Sequence, residues 1–307
     1  MKRLPKTTKA EVDGLLLVDK PAGISSHDVV AIARRALGEK SIGHGGTLDP
    51  FATGLLVLLV GRATRLLQYV PGDPKRYVAT VRFGGETDTE DLGGVVVREA
   101  PLPTPAALEA ARLTLIGDID QVPPAYSAKK VGGTRAYELA RKGEAPELAP
   151  VGIRVDTIDL DGFELGPDGT VASCTMHVAC GGGTYVRSLA RDLARAAGSA
   201  AHLVALRRTA AGPFSVEGAS TLEDLQEKRV VLRAPLEALP GYPHQILADD
   251  EIDRVARGID VPARLAGAHV KLVERKLDGT DVLVAFAERR ASEVGDRWQP
   301  RVVMRER

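Results

Sequence analysis

The sequence predicts an α+β fold, in which a mixed, mostly antiparallel sheet is flanked by helices and followed by a small β-rich C-terminal module. The apolar run Leu55 to Val60 is too short to cross a bilayer and is typical of a strand covered on both faces. Two other segments have the apolar spacing of helices. Three further segments favour strands by their alternation or turn boundaries: residues 75–83, 151–163 and 170–179.

The first elements follow from their end signals. Residues 14–20 predict a strand that ends at Pro21, and Ser25 or Ser26 caps the helix that follows and stops at Gly38. After the apolar run, residues 62–70 predict a short helix. The segment 75–83 then alternates as a half-buried strand does.

The second half continues the same architecture. Residues 103–117 predict an amphipathic helix opened by Thr104-Pro105, and a turn at 166–169 joins the strands 151–163 and 170–179. Residues 201–209 predict a final core strand. Prolines after about residue 240 indicate a linker, so we divide the chain into a flexible basic tail (1–10), a main domain (11–240) and a β-rich module (245–307).

Composition limits the possible functions. The chain has 307 residues, is 44% hydrophobic and 27% charged, and balances 41 basic against 41 acidic residues, so binding to nucleic acid requires locally clustered cations. Cys174 and Cys180 provide neither a disulfide framework nor a metal-ligand set, which indicates a reduced chain. The basic N-terminus has no long apolar segment behind it. We therefore expect no signal peptide, no membrane anchor and a cytoplasmic location.

A glycine-rich turn places one carboxylate beside the apolar strand. Residues 43–46 read Gly-His-Gly-Gly, and Asp49-Pro50 follows just before the strand. An acid at the rim of a rigid element is a common arrangement for a catalytic loop. The same Asp-Pro pair is equally typical of a simple turn. The local pattern alone leaves both interpretations open.

Other motifs suggest chemistry less specifically. The carboxylates of residues 86–91 fit no EF-hand spacing, so a solvated turn is favoured over a metal site. Ser127 and Lys130 satisfy an S-x-x-K pattern, but no convincing K-T-G or S-D-N element follows. Tyr77 follows two basic residues and fits either a base-stacking residue or an edge-strand tyrosine. Residues 129–142 form a local basic patch.

Six ordered strings within residues 12–225 resemble the motifs of the tRNA pseudouridine synthase B family. The string GHGGTLDPFATG is similar to that family's signature GHTGTLDPLATG. The other strings are LLLVDKPAGISS, KRYVA, PPAYSAKK, CGGGTYVRSL and HLVALRR. One departure is Gly182, where the family motif usually has lysine. The resemblance implies a pseudouridine-synthase fold, and by position and pattern a PUA-like RNA-binding C-terminal module.

The same resemblance implies an activity and a substrate. The expected reaction converts uridine to pseudouridine at position 55, in the T-loop of tRNA, after the base is flipped out, without a cofactor or metal. The expected partner is the T-stem-loop of tRNA, bound by a monomer with no obligate protein partner.

The resemblance also assigns roles to individual residues. Asp49 would be the nucleophile or the base, Arg187 its ion-pair partner and Tyr77 the residue that stacks on the flipped base. An arginine in the first turn of a helix is unfavourable for the helix dipole, which also favours a carboxylate partner for Arg187. The basic patches 129–142 and 187–208 would contact phosphates. The substrate-binding residues would be Lys20, His44, Lys130, Tyr185 and Leu206.

Two other functions are compatible with parts of this pattern. A tRNA-binding or tRNA-folding protein without turnover would use the same basic patches and C-terminal module. A glycosidase or nucleoside hydrolase usually needs paired carboxylates, and no convincing second acid accompanies Asp49 in the sequence.

Overall fold

Two main sheets organise the chain. The computed structural model describes residues 12–127, 129–131, 134–136, 139, 148–166, 168–293 and 295–305. The strands are β1 (Gly14–Lys20), β2 (Ile42–His44), β3 (Thr53–Val60), β4 (Lys75–Phe83), β5 (Gly85–Thr87), β6 (Val96–Glu99), β7 (Gly117–Gln121), β8 (Lys130–Val131), β9 (Thr134–Arg135), β10 (Val151–Leu165), β11 (Val171–Cys180), β12 (Ala201–Ala211), β13 (Phe214–Ser215), β14 (His244–Ile246), β15 (Val261–Pro262), β16 (His269–Arg275), β17 (Asp281–Arg290) and β18 (Arg297–Val303).

The larger sheet has nine strands, and its main path runs β1-β3-β12-β4-β11-β10-β7. Strand β12 pairs in parallel with β3 and antiparallel with β4. The other pairings along the path are antiparallel, including the long β10–β11 hairpin. The prediction of a mixed, mostly antiparallel sheet is therefore confirmed.

Strand β3 is covered on both faces, as its apolar run predicts. Leu55, Val57 and Leu59 pack into one core and Leu56, Leu58 and Val60 into another. Because side chains alternate across a strand, an unbroken apolar run is stable only where both faces are buried. Strand β3 thus provides a rigid support for the loop that precedes it.

Helices cover both faces of this sheet. The α-helices are α1 (Ser26–Leu37), α2 (Pro105–Thr114), α3 (Val186–Ala196), α4 (Leu222–Gln226) and α5 (Asp249–Ala256). Ser25 caps α1 in a capping box with Asp28, and Gly38 ends that helix with a left-handed φ of 62°. Helices α2 and α3 pack on the face of β4 that carries Tyr77, and α1 packs on β1 and β3.

The C-terminal module is a five-stranded sheet in the order β14-β16-β17-β18-β15. This confirms the expected β-rich module. The module shares a core with the face of β3 that carries Leu55, and Phe286 lies 4.6 Å from the ring of Tyr69. Tyr242 also donates its hydroxyl hydrogen to the Tyr69 carbonyl over 3.1 Å. The two sheets are thus joined by a packed apolar and aromatic contact.

The structure differs from the sequence prediction at several elements. The short helix predicted over residues 62–70 is a 3-10 helix over 61–69, and the helix predicted over 103–117 ends at Thr114, so that Gly117 begins strand β7. A second 3-10 helix spans Pro235–Ala238. The predicted flexible tail, residues 1–10, lies outside the described residues. Within the described part of the chain, no helix combines the length and the apolar character needed to cross a membrane.

Candidate active site

The loop between β2 and β3 carries Asp49 at the rim of the larger sheet. Its neighbour Leu48 is buried, and both backbone groups of Leu48 bond to the hydroxyl of Ser26: the N–H donates over 2.8 Å, and the carbonyl accepts over 3.0 Å. The Asp49 side chain remains 36% exposed. A single buried hydroxyl therefore fixes the backbone beside the acid while its carboxylate stays open.

Arg187, in the first turn of α3, forms the predicted ion pair with Asp49. Its Nε donates to Asp49 Oδ2 over 2.9 Å, and its side chain is only 4% exposed. The other two nitrogens donate to the carbonyls of Thr89, over 2.6 Å, and Tyr126, over 3.1 Å. With three fixed acceptors, the guanidinium is held in one orientation toward the acid.

Carboxylates in the loop of residues 86–91 form ion pairs with arginines of α3. Glu90 is buried, has a left-handed φ of 62°, and accepts hydrogen bonds from Ser188, over 2.7 Å, and from Arg191. Burial raises the pKa of Glu90, and the Arg191 charge opposes that rise. Asp91 Oδ2 lies 3.9 Å from Arg187 Nη1.

For Arg187 and Arg191, these contacts correct the prediction that residues 187–208 contact phosphates, whereas Arg195 and Arg207 remain 51% and 41% exposed. Arg187 and Arg191 are buried in ion pairs, and Arg195 pairs with the buried Glu86. Arg187 and Arg191 instead bind carboxylates in the interior, because α3 lies against an acidic loop that the sequence alone did not place there. Sequence reasoning missed the structural roles of Glu90 and Asp91; their one signal was an acidic loop without a metal-binding pattern.

Arg208 is a second residue whose role sequence reasoning missed. It is 1% exposed and lies beneath the Asp49 loop. Its Nε donates to the Leu55 carbonyl over 2.8 Å, and its Nη atoms donate to the carbonyls of Gly46, over 3.1 Å, and Thr47, over 3.4 Å. The sequence held one signal of this role: Arg208 lies two residues after Leu206, so in a strand the two side chains share the face that is directed into the core.

We expect Arg208→Met to destabilise the fold by about 3 kcal/mol, because buried carbonyls would lose their donors. The single-turnover rate should also fall, since the Asp49 loop loses its support. The matched control is Arg207→Met: that neighbour is 41% exposed and pairs with Asp19, so its loss should cost less than about 1 kcal/mol. Thermal unfolding and single-turnover assays would measure both effects. Equal destabilisation by the two substitutions would contradict this role for Arg208.

Tyr77 and Leu206 form an apolar wall on the same face of the sheet. Tyr77 is 8% exposed on β4, Leu206 is 6% exposed on β12, and both belong to the core that includes Leu48. Burial raises the pKa of Tyr77, and the guanidinium of Arg208, its hydrogen-bonding partner, opposes the rise. The tyrosine is therefore a neutral phenol at physiological pH.

Lys20 lies in the interior and not on the open surface where a direct substrate contact was expected. Its side chain is fully buried at the end of β1. The ammonium donates to the carbonyls of Pro21, over 2.9 Å, Ile24, over 2.8 Å, and Pro50, over 3.2 Å. All three donors are used, so Lys20 connects two loops and fixes the residue after Asp49.

Burial lowers the pKa of Lys20 from 10.5 to about 8, although the nearby Asp49 opposes that shift. Above pH 8 the amine loses a donor to the loop carbonyls, so we expect the single-turnover rate to decline with an apparent pKa of about 8. The stability contribution of this group has the opposite sign: it increases between pH 8 and 10.5, where the unfolded chain binds more protons. The single-turnover rate of Lys20→Met should be lower than that of wild type at every pH and should show no decline near pH 8. If the rate of Lys20→Met still declined near pH 8, Lys20 would not be the cause of the decline.

The remaining predicted residues lie at different depths. His44 ends β2 and is half-buried, and both burial and the Arg208 charge lower its pKa, so it is a neutral imidazole at neutral pH. Tyr185 is the N-cap residue of α3. Its backbone N–H donates to Oε1 of the buried Gln121 side chain, and its carbonyl accepts from Nε2 of the same side chain. Lys130 begins β8, but its side chain lies outside the described residues, as do Arg141 and Lys142 of the basic patch.

This geometry can be compared with known proteins. Residues 34–186 match the model for the TruB family pseudouridylate synthase (N terminal domain), and residues 187–247 match the tRNA pseudouridylate synthase B C-terminal domain. A tRNA pseudouridine synthase B from Arthrobacter sp. (strain FB24) is 44% identical over 254 residues, which cover 82% of this chain and 83% of that protein. One from Mycobacteroides abscessus is 39% identical over 95% of this chain and 96% of that protein.

The chain belongs to the tRNA pseudouridine synthase B family.

The family resemblance expected from the six motifs is thereby confirmed. A chain in the crystal structure of a Cbf5-Nop10-Gar1 complex matches with a TM-score of 0.67 and 25% identity, over 96% of this chain and 85% of that one. This likeness confirms the expected fold. The second family model covers α3 and β12, so the segment that the tRNA pseudouridine synthase B family calls C-terminal lies here partly within the nine-stranded sheet.

Proposed function

We propose that this chain converts uridine to pseudouridine at position 55 in the T-loop of tRNA, with Asp49 as the essential acid. The observation that carries the proposal is the partly exposed Asp49 carboxylate held by the buried Arg187, beside the Tyr77–Leu206 wall. Pure RNA binding does not require a carboxylate oriented by a buried guanidinium. The family relatives named tRNA pseudouridine synthase B support the substrate class.

The reaction sets requirements that this arrangement meets. The C1′–N1 bond breaks, the uracil turns while it is held, a C5–C1′ bond forms, C5 loses its proton and N1 gains one. We propose that Asp49 acts on the ribose, either as a nucleophile at C1′ or as a base. The hydrogen bond from Arg187 holds the carboxylate in the one orientation that both roles need. The step can then begin without reorganisation of the site.

The wall beside Asp49 suits a base that has left its stack. We propose that the uracil lies against Tyr77 and Leu206, whose apolar surfaces replace the stacking lost when the nucleotide flips out. Tyr77 is a neutral phenol placed to take the C5 proton or to exclude water from it. His44, also neutral, would fill the space that the flipped base leaves in the RNA.

We further propose that residues 11–240 form the catalytic domain and that residues 245–307 form a PUA-like RNA-binding domain. The electrostatic support for RNA binding by the second unit is small, since its described arginines are largely paired with carboxylates. These pairs involve Arg264, Arg275, Arg289, Arg297, Arg301 and Arg305. We propose a monomer that acts in the cytoplasm, consistent with two buried free cysteines.

The test of the substrate is to map the modified uridine. An unmodified tRNA transcript would be incubated with the protein, and pseudouridine would be located by carbodiimide labelling and primer extension. We expect one strong stop one nucleotide to the 3′ side of position 55 and none in a transcript with cytidine at position 55. Pseudouridine at another position, with position 55 unmodified, would contradict the assignment of the T-loop.

A further inference from the structure

Lys75 is a cation beside the site that the proposed reaction leaves unassigned. It begins β4 and lies two residues before Tyr77. Alternate residues of a strand share a face and are about 6.6 Å apart along it. A base lying against Tyr77 therefore has its own backbone within reach of the Lys75 side chain.

Two glycine turns border the Lys75 ammonium. A Cβ atom built on Gly46, in the turn before Asp49, would lie 3.7 Å from Lys75 Cε. One built on Gly182, in the turn before α3, would lie 3.5 Å from Lys75 Nζ. Because neither turn has a side chain at these positions, the backbone of a ligand can approach the ammonium closely.

The present partner of Lys75 is easily exchanged. Its Nζ lies 2.6 Å from Asp73 Oδ1, and the Asp73 side chain is 56% exposed, whereas that of Lys75 is 16% exposed. A pair with so exposed a partner contributes about 0–1 kcal/mol. Arg191 and Arg208 differ, because they are buried and bonded to internal acceptors. The Lys75 ammonium can thus exchange the Asp73 carboxylate for an incoming anion.

We propose that Lys75 binds the RNA phosphate next to the flipped uridine and that Asp73 is the internal anion that this phosphate displaces. The proposal also accounts for Gly182, where the family motif usually has lysine: the Lys75 ammonium already lies beside that position. An ammonium acts as a point charge for phosphate and needs no bidentate geometry. The inference rests on the proposed function, because it requires RNA at this site.

The test measures the Kd for an unmodified tRNA transcript at several salt concentrations. We expect Lys75→Met to raise the Kd roughly fivefold and to reduce the slope of log Kd against log salt by about 0.7, the value for one lost phosphate contact on an unpaired strand. The single-turnover rate at saturating RNA should stay within about twofold. Asp73→Asn should bind more tightly than wild type, because it removes the competing carboxylate.

Two variants distinguish this role from general effects of charge or folding. Lys276→Met removes a lysine that also pairs with the acid two residues before it, Glu274 at 2.7 Å, in the C-terminal sheet; its Kd and slope should match wild type. Lys75→Met combined with Gly182→Lys should recover most of the affinity and slope. Gly182 accepts a side chain, because its φ is not in the left-handed region and the atom nearest to a Cβ there, Asp73 Oδ2 at 3.3 Å, belongs to an exposed side chain that can move aside.

An unchanged Kd and slope in Lys75→Met would overturn the proposal, and so would an equal change in Lys276→Met. Weaker binding by Asp73→Asn would show that the pair is structural and would also overturn it. Wild-type turnover, measured on the same transcript, separates the two hypotheses. If wild type binds without turnover, the proposed function fails and the phosphate site stands or falls on the salt slopes alone.

Discussion

Asp49→Asn is expected to reduce the single-turnover rate of pseudouridine formation by at least about a thousandfold, the scale on which loss of an essential nucleophile or base acts. The amide has nearly the shape of the carboxylate and keeps an oxygen that can accept from Arg187, so the loop should keep its structure. It has no charge with which to attack C1′ or to remove a proton. Chromatographic separation of the nucleosides from digested tRNA would quantify the product, because pseudouridine and uridine have the same mass.

The affinity for tRNA separates chemistry from folding in this variant. We expect the Kd of Asp49→Asn to remain within about threefold of wild type, because one partly exposed carboxylate contributes little to binding a polyanion. Asp49→Ala should reduce the single-turnover rate by the same factor as Asp49→Asn. A rate within tenfold of wild type in either variant would show that Asp49 is not the essential acid.

Arg187→Lys is expected to lower the rate about a hundredfold while leaving the Kd for tRNA nearly unchanged. Lysine keeps the positive charge, but its compact ammonium cannot reach the three separate acceptors that the Arg187 fork bonds: Asp49 and the carbonyls of Thr89 and Tyr126. A displacement of the carboxylate by about 1 Å is enough for such a loss. The RNA affinity should persist because Arg187 is buried.

The matched control for this substitution is Arg195→Lys in the same helix. Arg195 is half exposed and pairs with Glu86, away from Asp49, so we expect its rate within about twofold of wild type. Single-turnover kinetics and filter binding would measure both variants. If Arg187→Lys raised the Kd and left the rate intact, Arg187 would be an RNA contact and not the residue that orients Asp49.

Much of the site's framework could be predicted from sequence because it depends on local signals. The unbroken run from Leu55 to Val60 predicted a strand buried on both faces, and Asp49 lies where the preceding loop meets it. Arg187 was predicted to need a carboxylate because a first-turn arginine opposes the helix dipole. The motif resemblance then identified which carboxylate it was.

The parts that could not be predicted depend on contacts between distant residues. Arg208 looked like a charged strand flank, and only the parallel pairing of β12 with β3 places it under the loop. The sequence suggested an exposed loop lysine at position 20, whereas in the structure the Lys20 ammonium donates to three backbone carbonyls. Residues 187–208 looked like a phosphate patch because the acids of residues 86–91 lie about 100 positions earlier in the chain.

The central claim is that this chain is a catalyst and not only a tRNA-binding protein. The most direct test uses an unmodified tRNA transcript that carries tritium at C5 of uridine, with the protein at a small fraction of the RNA concentration. Replacement of the C5 proton during isomerisation releases tritium to water. We predict release in excess of the protein present, approaching one tritium per tRNA. Tight binding with no release above background would contradict the account and identify a tRNA-binding protein without turnover.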